Sequence, residues 1–130
     1  MEKELKDYSH KKIVYIDDNA INLKVGCMSL KKFGLTPDEG SHMVDLFKYL
    51  DEEKREYYLL LLDDMMDVGI TGTEAMQQLK AREYSKPIVV LTANDTSADK
   101  ERYLAAGFDD YLAKPVNLTE LARVLDKFLG

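Results

Sequence analysis

The stretch Tyr58-Leu59-Leu60-Leu61-Leu62-Asp63-Asp64 is an unbroken apolar run that stops at two carboxylates. A run this short, without helical period, suits a strand covered on both faces, as found in the middle of a parallel sheet. In open parallel α/β sheets ligands collect beyond the carboxyl ends of the strands. The acid pair marks that end, so each other segment can be asked what it brings there.

The same pattern occurs earlier. Ile13-Val14-Tyr15-Ile16 is a short β-branched run that leads directly into Asp17-Asp18. Between these strands, Asn19 to Phe33 has helical spacing, with Leu23, Cys27 and Leu30 on one face, widened by Ile21, Val25 and Met28, and Gly34 as its stop. Leu35 to Glu39 is a second strand that Pro37 confines to a sheet edge, because proline cannot donate to a ladder. Ser41 is a cap for a helix reaching about Glu53, with Met43, Phe47 and Leu50 on one face. After the loop Met65 to Ile70, Thr71 and Glu74 form a capping box for a helix ending near Glu83. Pro87 to Leu91 is the fourth strand, and it runs into Thr92-Ala93-Asn94. Asp95 or Thr96 starts a helix carrying Tyr103, Leu104 and Ala105 inward, which Gly107 stops. A fifth strand, Asp110 to Ala113, meets Lys114-Pro115, and Asn117 caps a last helix with Leu118, Leu121, Val124, Leu125 and Phe128 facing in.

This alternation predicts an α/β fold: a doubly wound five-stranded parallel sheet with helices on both faces. With the second strand at an edge, the flavodoxin-like order 2-1-3-4-5 follows. Residues 1–11 read as a polar tail or linker, with Leu5 and Tyr8 its apolar members, and residues 12–130 as one domain. A chain of 130 residues has material for one core, not two.

Charge and cysteine content narrow the function. A net charge of -6, with no basic stripe, speaks against direct nucleic-acid binding. The single cysteine, Cys27, cannot form an internal disulfide, which fits a reducing cytoplasm. No apolar run reaches the ~18–20 residues that span a bilayer. His10 and His42 are read as surface residues.

The expected strand ends carry Asp17, Asp18, Asp64, Thr92 and Lys114. Three carboxylates in one crevice repel by roughly 1–4 kcal/mol per pair near 4 Å, so they call for a divalent cation, and an oxygen-only set suits Mg2+. A hydroxyl and an ammonium aimed at the same point can hold phosphoryl oxygens. Asp64 between metal and donors becomes a nucleophile toward phosphorus, forming an acyl phosphate.

On these residues the chain resembles the receiver domains of two-component response regulators, over roughly residues 12–129. Asp17 and Asp18 match the family's acid pair, Asp64 its phosphoacceptor, Thr92 its switch hydroxyl, Tyr111 its switch aromatic, and Lys114-Pro115 its lysine and proline. The resemblance implies that Asp18, Asp64 and the backbone carbonyl of Met66 bind the metal with Asp17 assisting, and that the bond before Pro115 is cis. It also implies a signalling module, not an enzyme acting on an outside substrate, that catalyses its own phosphorylation from a phosphohistidine of a histidine kinase or histidine phosphotransfer domain. The segment Asp17 to Leu23 is most similar to receivers attached to hybrid sensor kinases, so a larger hybrid chain is a compatible parent. Asp63 and Asp64 must face opposite sides of a strand, and Gly72, eight residues after Asp64 like the family's glycine, selects Asp64. The loop Asp67 to Gly72 lacks the family's proline, which leaves the chemistry intact but bears on its stiffness and on the partner surface it forms.

Three rival readings are weaker. A docking module that is never phosphorylated would be expected to have lost an acid or the lysine, and neither is lost. A haloacid dehalogenase-like phosphohydrolase needs a second acid two residues after its nucleophile, where Met66 follows Asp64. A flavodoxin-like cofactor protein would need a phosphate-binding loop after the first strand, and Gly- or Ser/Thr-rich sequence is missing there.

Overall fold

Burial explains the strands first. In the computed structural model, which describes residues 7–93 and 96–130, the run of leucines becomes β3, Leu59–Asp63, with every residue at most 1% exposed. It pairs in parallel with β1, Ile13–Ile16, on one side and β4, Ile88–Thr92, on the other. β2, Asp38–Gly40, pairs with β1, and β5, Asp110–Ala113, with β4, so the order is β2-β1-β3-β4-β5. β2 begins just after Pro37 and takes the edge expected of it.

Side-chain parity divides the core into two halves. Ile13, Tyr15, Leu59, Leu61, Val89 and Leu91 point to one face, covered by α1, Ala20–Lys31, and α5, Leu118–Leu129. Val14, Ile16, Leu60, Leu62, Ile88 and Val90 point to the other, covered by α2, Met43–Phe47, α3, Gly72–Ala81, and α4, Ser97–Ala106. At about 1.5–3 kcal/mol for each large apolar side chain fully buried, the two-sided β3 and β4 contribute strongly to cohesion.

The caps at Thr71 and Asn117 follow the sequence, whereas Asn19, read as the first helical residue, is itself a cap. Asn19 Oδ1 accepts the N–H groups of Ile21 and Asn22, Thr71 and Glu74 form their box, and Asn117 Oδ1 accepts from Glu120. At α2 the cap is His42 instead of Ser41, because the Asp45 carboxylate accepts from the N–H groups of both residues. α2 then continues as a π-helical turn over Lys48–Glu52. Asp95, one of the two expected starts of α4, lies outside the described residues; Thr96 caps the helix by accepting from Asp99 N–H.

Three expectations about helix faces and the tail need correction. Ile21, Val25 and Met28 are exposed by 74%, 45% and 55%, since Gly26, Cys27 and Leu30 already fill the contact of α1 with the sheet. In α4 only Tyr103 is buried; Leu104 and Ala105 face out, and Phe108 beyond Gly107 takes the inward position. Tyr8, read as part of the tail, is buried: its N–H donates to Phe33 O at 2.8 Å and its ring joins the α1–α5 half of the core. Leu5 lies outside the described residues.

Candidate functional site

β1 and β3 end one register step apart in the sheet, Ile16 opposite Leu62, so the acids that follow them share one crevice. Asp17 keeps the parity of Tyr15, and Asp63 that of Leu61, which places both on the α1–α5 side. One ligand oxygen each from Asp17, Asp18 and Asp63 lies within 4.8 Å of the others. Lys114 reaches in from the end of β5, its Nζ 3.0 Å from Asp63 Oδ1 and 3.5 Å from Asp17 Oδ2. Its backbone N–H donates to Thr92 O at 2.8 Å, which sets the end of β5 against that of β4. The Lys114-Pro115 bond is cis, as the resemblance implied.

Asp63 therefore occupies the position expected of Asp64. Alternation does send the two carboxylates to opposite sides, but it is Asp63 that meets the acid pair and the lysine. The spacing to Gly72 misled, because one additional loop residue separates this glycine from Asp63. Gly72 is constrained by packing: a Cβ there would lie 2.5 Å from Asp63 O, and its N–H donates to Asp64 O. Asp64 turns to the α3–α4 side, where Oδ1 accepts from Thr73 N–H and Oγ1 and Oδ2 accepts from the Tyr103 hydroxyl.

The electrostatics of the crevice follow from burial. Asp17 and Asp63 are almost fully inaccessible. Loss of solvent pushes the Asp63 carboxyl well above the usual carboxylate range; Lys114 opposes this shift, and the neighbouring Asp17 adds to it. One ammonium cannot neutralise three carboxylates. The remaining negative charge, on oxygen donors only, fits a hard divalent cation such as Mg2+.

The other expected residues are placed as follows. Asp17 Oδ1 accepts Asn19 N–H, and Asp18 Oδ2 accepts Asp67 N–H at 2.8 Å, tying the proline-free loop to the acid pair. Met65 N–H donates to Asp63 Oδ1, whereas Met66 packs against the α3–α4 half of the core. Thr92 is buried, with Oγ1 3.1 Å from the Tyr103 hydroxyl. Tyr111 is partly buried, its ring flanked by Lys100 and Arg123. Tyr103 was read from the sequence only as packing; helical spacing gives its burial but carries no sign of its polar partners.

Residues 13–126 match the model of the response regulator receiver domain family. Among curated proteins, the chain is 35% identical to histidine protein kinase 1 of Candida albicans over 125 residues, 89% of this chain and 5% of that protein. It is 34% identical to the aerobic respiration control sensor protein ArcB of Escherichia coli over 122 residues, 89% of this chain and 15% of that protein. Hybrid signal transduction histidine kinase G of Dictyostelium discoideum is 28% identical over 98% of this chain and 4% of its own length. The chain thus corresponds to a small part of each of these relatives. Among solved structures, the receiver domain of a sensor histidine kinase from Pseudomonas aeruginosa, with a magnesium ion coordinated in its active site cleft, aligns at a TM-score of 0.79. It is 31% identical, and the match covers 92% of this chain and 98% of that one.

Proposed function

Because the chain belongs to the response regulator receiver domain family of two-component and phosphorelay systems, we propose that it accepts a phosphoryl group from a phosphohistidine onto Asp63 with Mg2+ and changes its surface in response. The observation that carries the assignment to Asp63 is the meeting of its carboxylate with Asp17, Asp18 and Lys114. Asp63 Oδ attacks phosphorus, the P–N bond to the donor histidine breaks, and an acyl phosphate forms. Lys114, already in contact with Asp63, would neutralise charge on the phosphoryl oxygens, and Asp17 and Asp18 would hold the metal with Asp63. The metal would supply charge neutralisation to the carboxylates and the incoming phosphoryl group. Counted from Asp63, the backbone carbonyl that the resemblance adds to the ligand set is that of Met65. Thr92 and Tyr111 are the switch pair, Thr92 turning toward the phosphoryl group and Tyr111 following.

A histidine kinase or histidine phosphotransfer domain, in the same chain or separate from it, is the partner this chemistry requires. Ile21, Val25 and Met28 form an exposed apolar stripe on α1, the helix that leaves the acid pair, and Met65 and Val68 are exposed on the loop after Asp63. Apolar surface beside the crevice suits a donor that must dock before it transfers. Among the described residues no helix is long and apolar enough to cross a membrane.

The test is intact-mass measurement after incubation with acetyl phosphate and Mg2+. Wild type and Asp64→Asn should each gain one phosphoryl group, and Asp63→Asn none. Labelling of Asp63→Asn with loss of labelling in Asp64→Asn would return the acceptor to Asp64.

A further inference from the structure

Tyr103 is buried against Phe108, ring centroids 5.9 Å apart and edge-on at 76°. Packing alone would be served by phenylalanine, yet the hydroxyl donates to Asp64 Oδ2 at 3.0 Å and lies 3.1 Å from Thr92 Oγ1. A phenol has one proton. With that proton on Asp64, Tyr103 is left as an acceptor, and Thr92 is the donor across the second contact. Asp64 is held from its other side by Thr73, whose N–H and Oγ1 both donate to Oδ1, at 3.1 and 2.6 Å. A chain of hydrogen bonds thus runs from the first turn of α3 through Asp64 and Tyr103 of α4 to the hydroxyl of Thr92 at the end of β4.

We propose that Asp64 and Tyr103 form a latch that holds Thr92 in the unphosphorylated domain, with Tyr103 as a positioning residue for the switch. This rests on the reading of Asp63 as acceptor. The Thr92 hydroxyl also has one proton, so giving it to a phosphoryl oxygen means withdrawing it from Tyr103. Tyr103 keeps Asp64 but loses its donor, and α4 loses that tie to β4. The latch therefore opposes engagement of Thr92 and carries news of it to α4. Asp64, beside the acceptor in sequence but on the opposite side of the sheet, anchors the latch instead of receiving phosphate.

Tyr103→Phe removes the hydroxyl and keeps the ring. Titrated with beryllofluoride and Mg2+ by calorimetry, it should bind the mimic about fivefold more tightly than wild type, the loss of one neutral hydrogen bond. Without beryllofluoride, amide exchange in residues 97–106 should be faster in Tyr103→Phe than in wild type. In a Thr92→Val background the same substitution should change beryllofluoride affinity by less than about twofold, because the partner is already gone. A purely structural role would act equally in both backgrounds. Should wild type neither bind beryllofluoride nor take a phosphoryl group, the proposed function fails, and α4 exchange in the two single variants and the double still decides the latch. If Tyr103→Phe does not fold, Thr92→Val alone should show the faster α4 exchange. Unchanged or weaker beryllofluoride binding in Tyr103→Phe, equal effects in the two backgrounds, or wild-type exchange in α4 would each overturn the latch.

Discussion

The Nζ of Lys114 lies 3.0 Å from Oδ1 of Asp63, with the lysine side chain 15% exposed and the aspartate 1%. This contact joins the ends of strands that are not neighbours in the sheet, since β4 lies between β3 and β5. Lys114 compensates part of the charge that a metal would otherwise meet. Lys114→Met should therefore lower the melting temperature in the absence of divalent ions and strengthen Mg2+ binding by about 1 kcal/mol or more, as expected for removing a positive charge a few ångströms away. Mg2+ titrations followed by thermal melts would measure both, and weaker Mg2+ binding in the variant would show that the lysine organises the site more than it competes for it.

The three clustered acids lead to a second expectation. At ten times its dissociation constant, Mg2+ should stabilise the wild-type domain by about 1.4 kcal/mol. Asp18→Ala and Asp63→Asn should lose most of this response, whereas Asp64→Asn should keep it, its side chain facing Thr73 and Tyr103. Asp63→Asn should also melt higher than wild type without metal, having lost a buried like charge. Melts with Mg2+ and with a chelator separate the four proteins; a wild-type response in Asp18→Ala would remove Asp18 from the metal site.

The exposed stripe on α1 gives a test that separates donor docking from chemistry. Replacing Met28 with lysine should slow transfer from a protein phosphohistidine by roughly tenfold, the loss of ~1.4 kcal/mol of contact. Labelling by acetyl phosphate should be unchanged, because Met28 is more than half exposed and two turns from the acid pair. Equal slowing with both donors would mean that the substitution disturbs the crevice and that α1 is not the docking face.

Most of the architecture was legible because burial and period act locally. A run of leucines closed by acids, Pro37 in a short strand, and caps at Thr71 and Asn117 each specify an element without reference to the rest of the chain. The choice between Asp63 and Asp64 is of another kind. Asp63 ends β3 and Asp64 comes next, and the motif spacing pointed away from the acid that meets Asp17 and Lys114, because loops absorb an extra residue at little cost. The parity of Tyr15 and Asp17 against Leu61 and Asp63 tells which acid faces the pair, but it could be used only once the register of β1 and β3 was known. Ile21, Val25 and Met28 misled for a related reason: helical spacing marks an apolar face but does not say whether the sheet or a partner covers it.

Close packing behind the site gives a test with a change of sign. Tyr15 is buried on β1, and its ring and hydroxyl occupy the space that a Cβ on Gly26 of α1 would need. Gly26→Ala gains roughly 1 kcal/mol of helix propensity but must displace a ring that has nowhere to go, at about 1–3 kcal/mol. The net effect should be destabilising in wild type. In a Tyr15→Val background the obstruction is gone, so the same alanine should become neutral or stabilising. Denaturant titrations of the four proteins give the coupling, and an equal cost of Gly26→Ala in both backgrounds would show that Tyr15 is not what excludes the side chain.

Asp110 joins the start of β5 to α5, on the side of the sheet opposite the end that carries the acids. Its carboxylate accepts from Arg123 Nη1 at 2.8 Å, Lys127 Nζ at 3.1 Å and Tyr111 N–H at 2.7 Å, and the residue is 3% exposed. Burial alone would push its carboxyl up, but Arg123, the Tyr111 N–H and Lys127 together outweigh it and hold the group below the usual carboxylate range. A carboxyl whose pKa is lower in the folded state contributes fully above its unfolded value, near ~3.9, and loses that contribution as pH falls through the folded value. Asp110→Asn should accordingly cost about 1–3 kcal/mol at neutral pH, the range for leaving buried hydrogen-bonding groups poorly matched. The gap between wild type and variant should narrow below about pH 4. Asp38, held down in the same direction by Tyr57, Arg55 and Lys12 against its own burial, titrates in both proteins and cancels from the difference. Melting both proteins from pH 7 to pH 3 reads it directly: a gap that stays constant would mean that Asp110 fastens β5 to α5 by shape and neutral hydrogen bonds, not by charge.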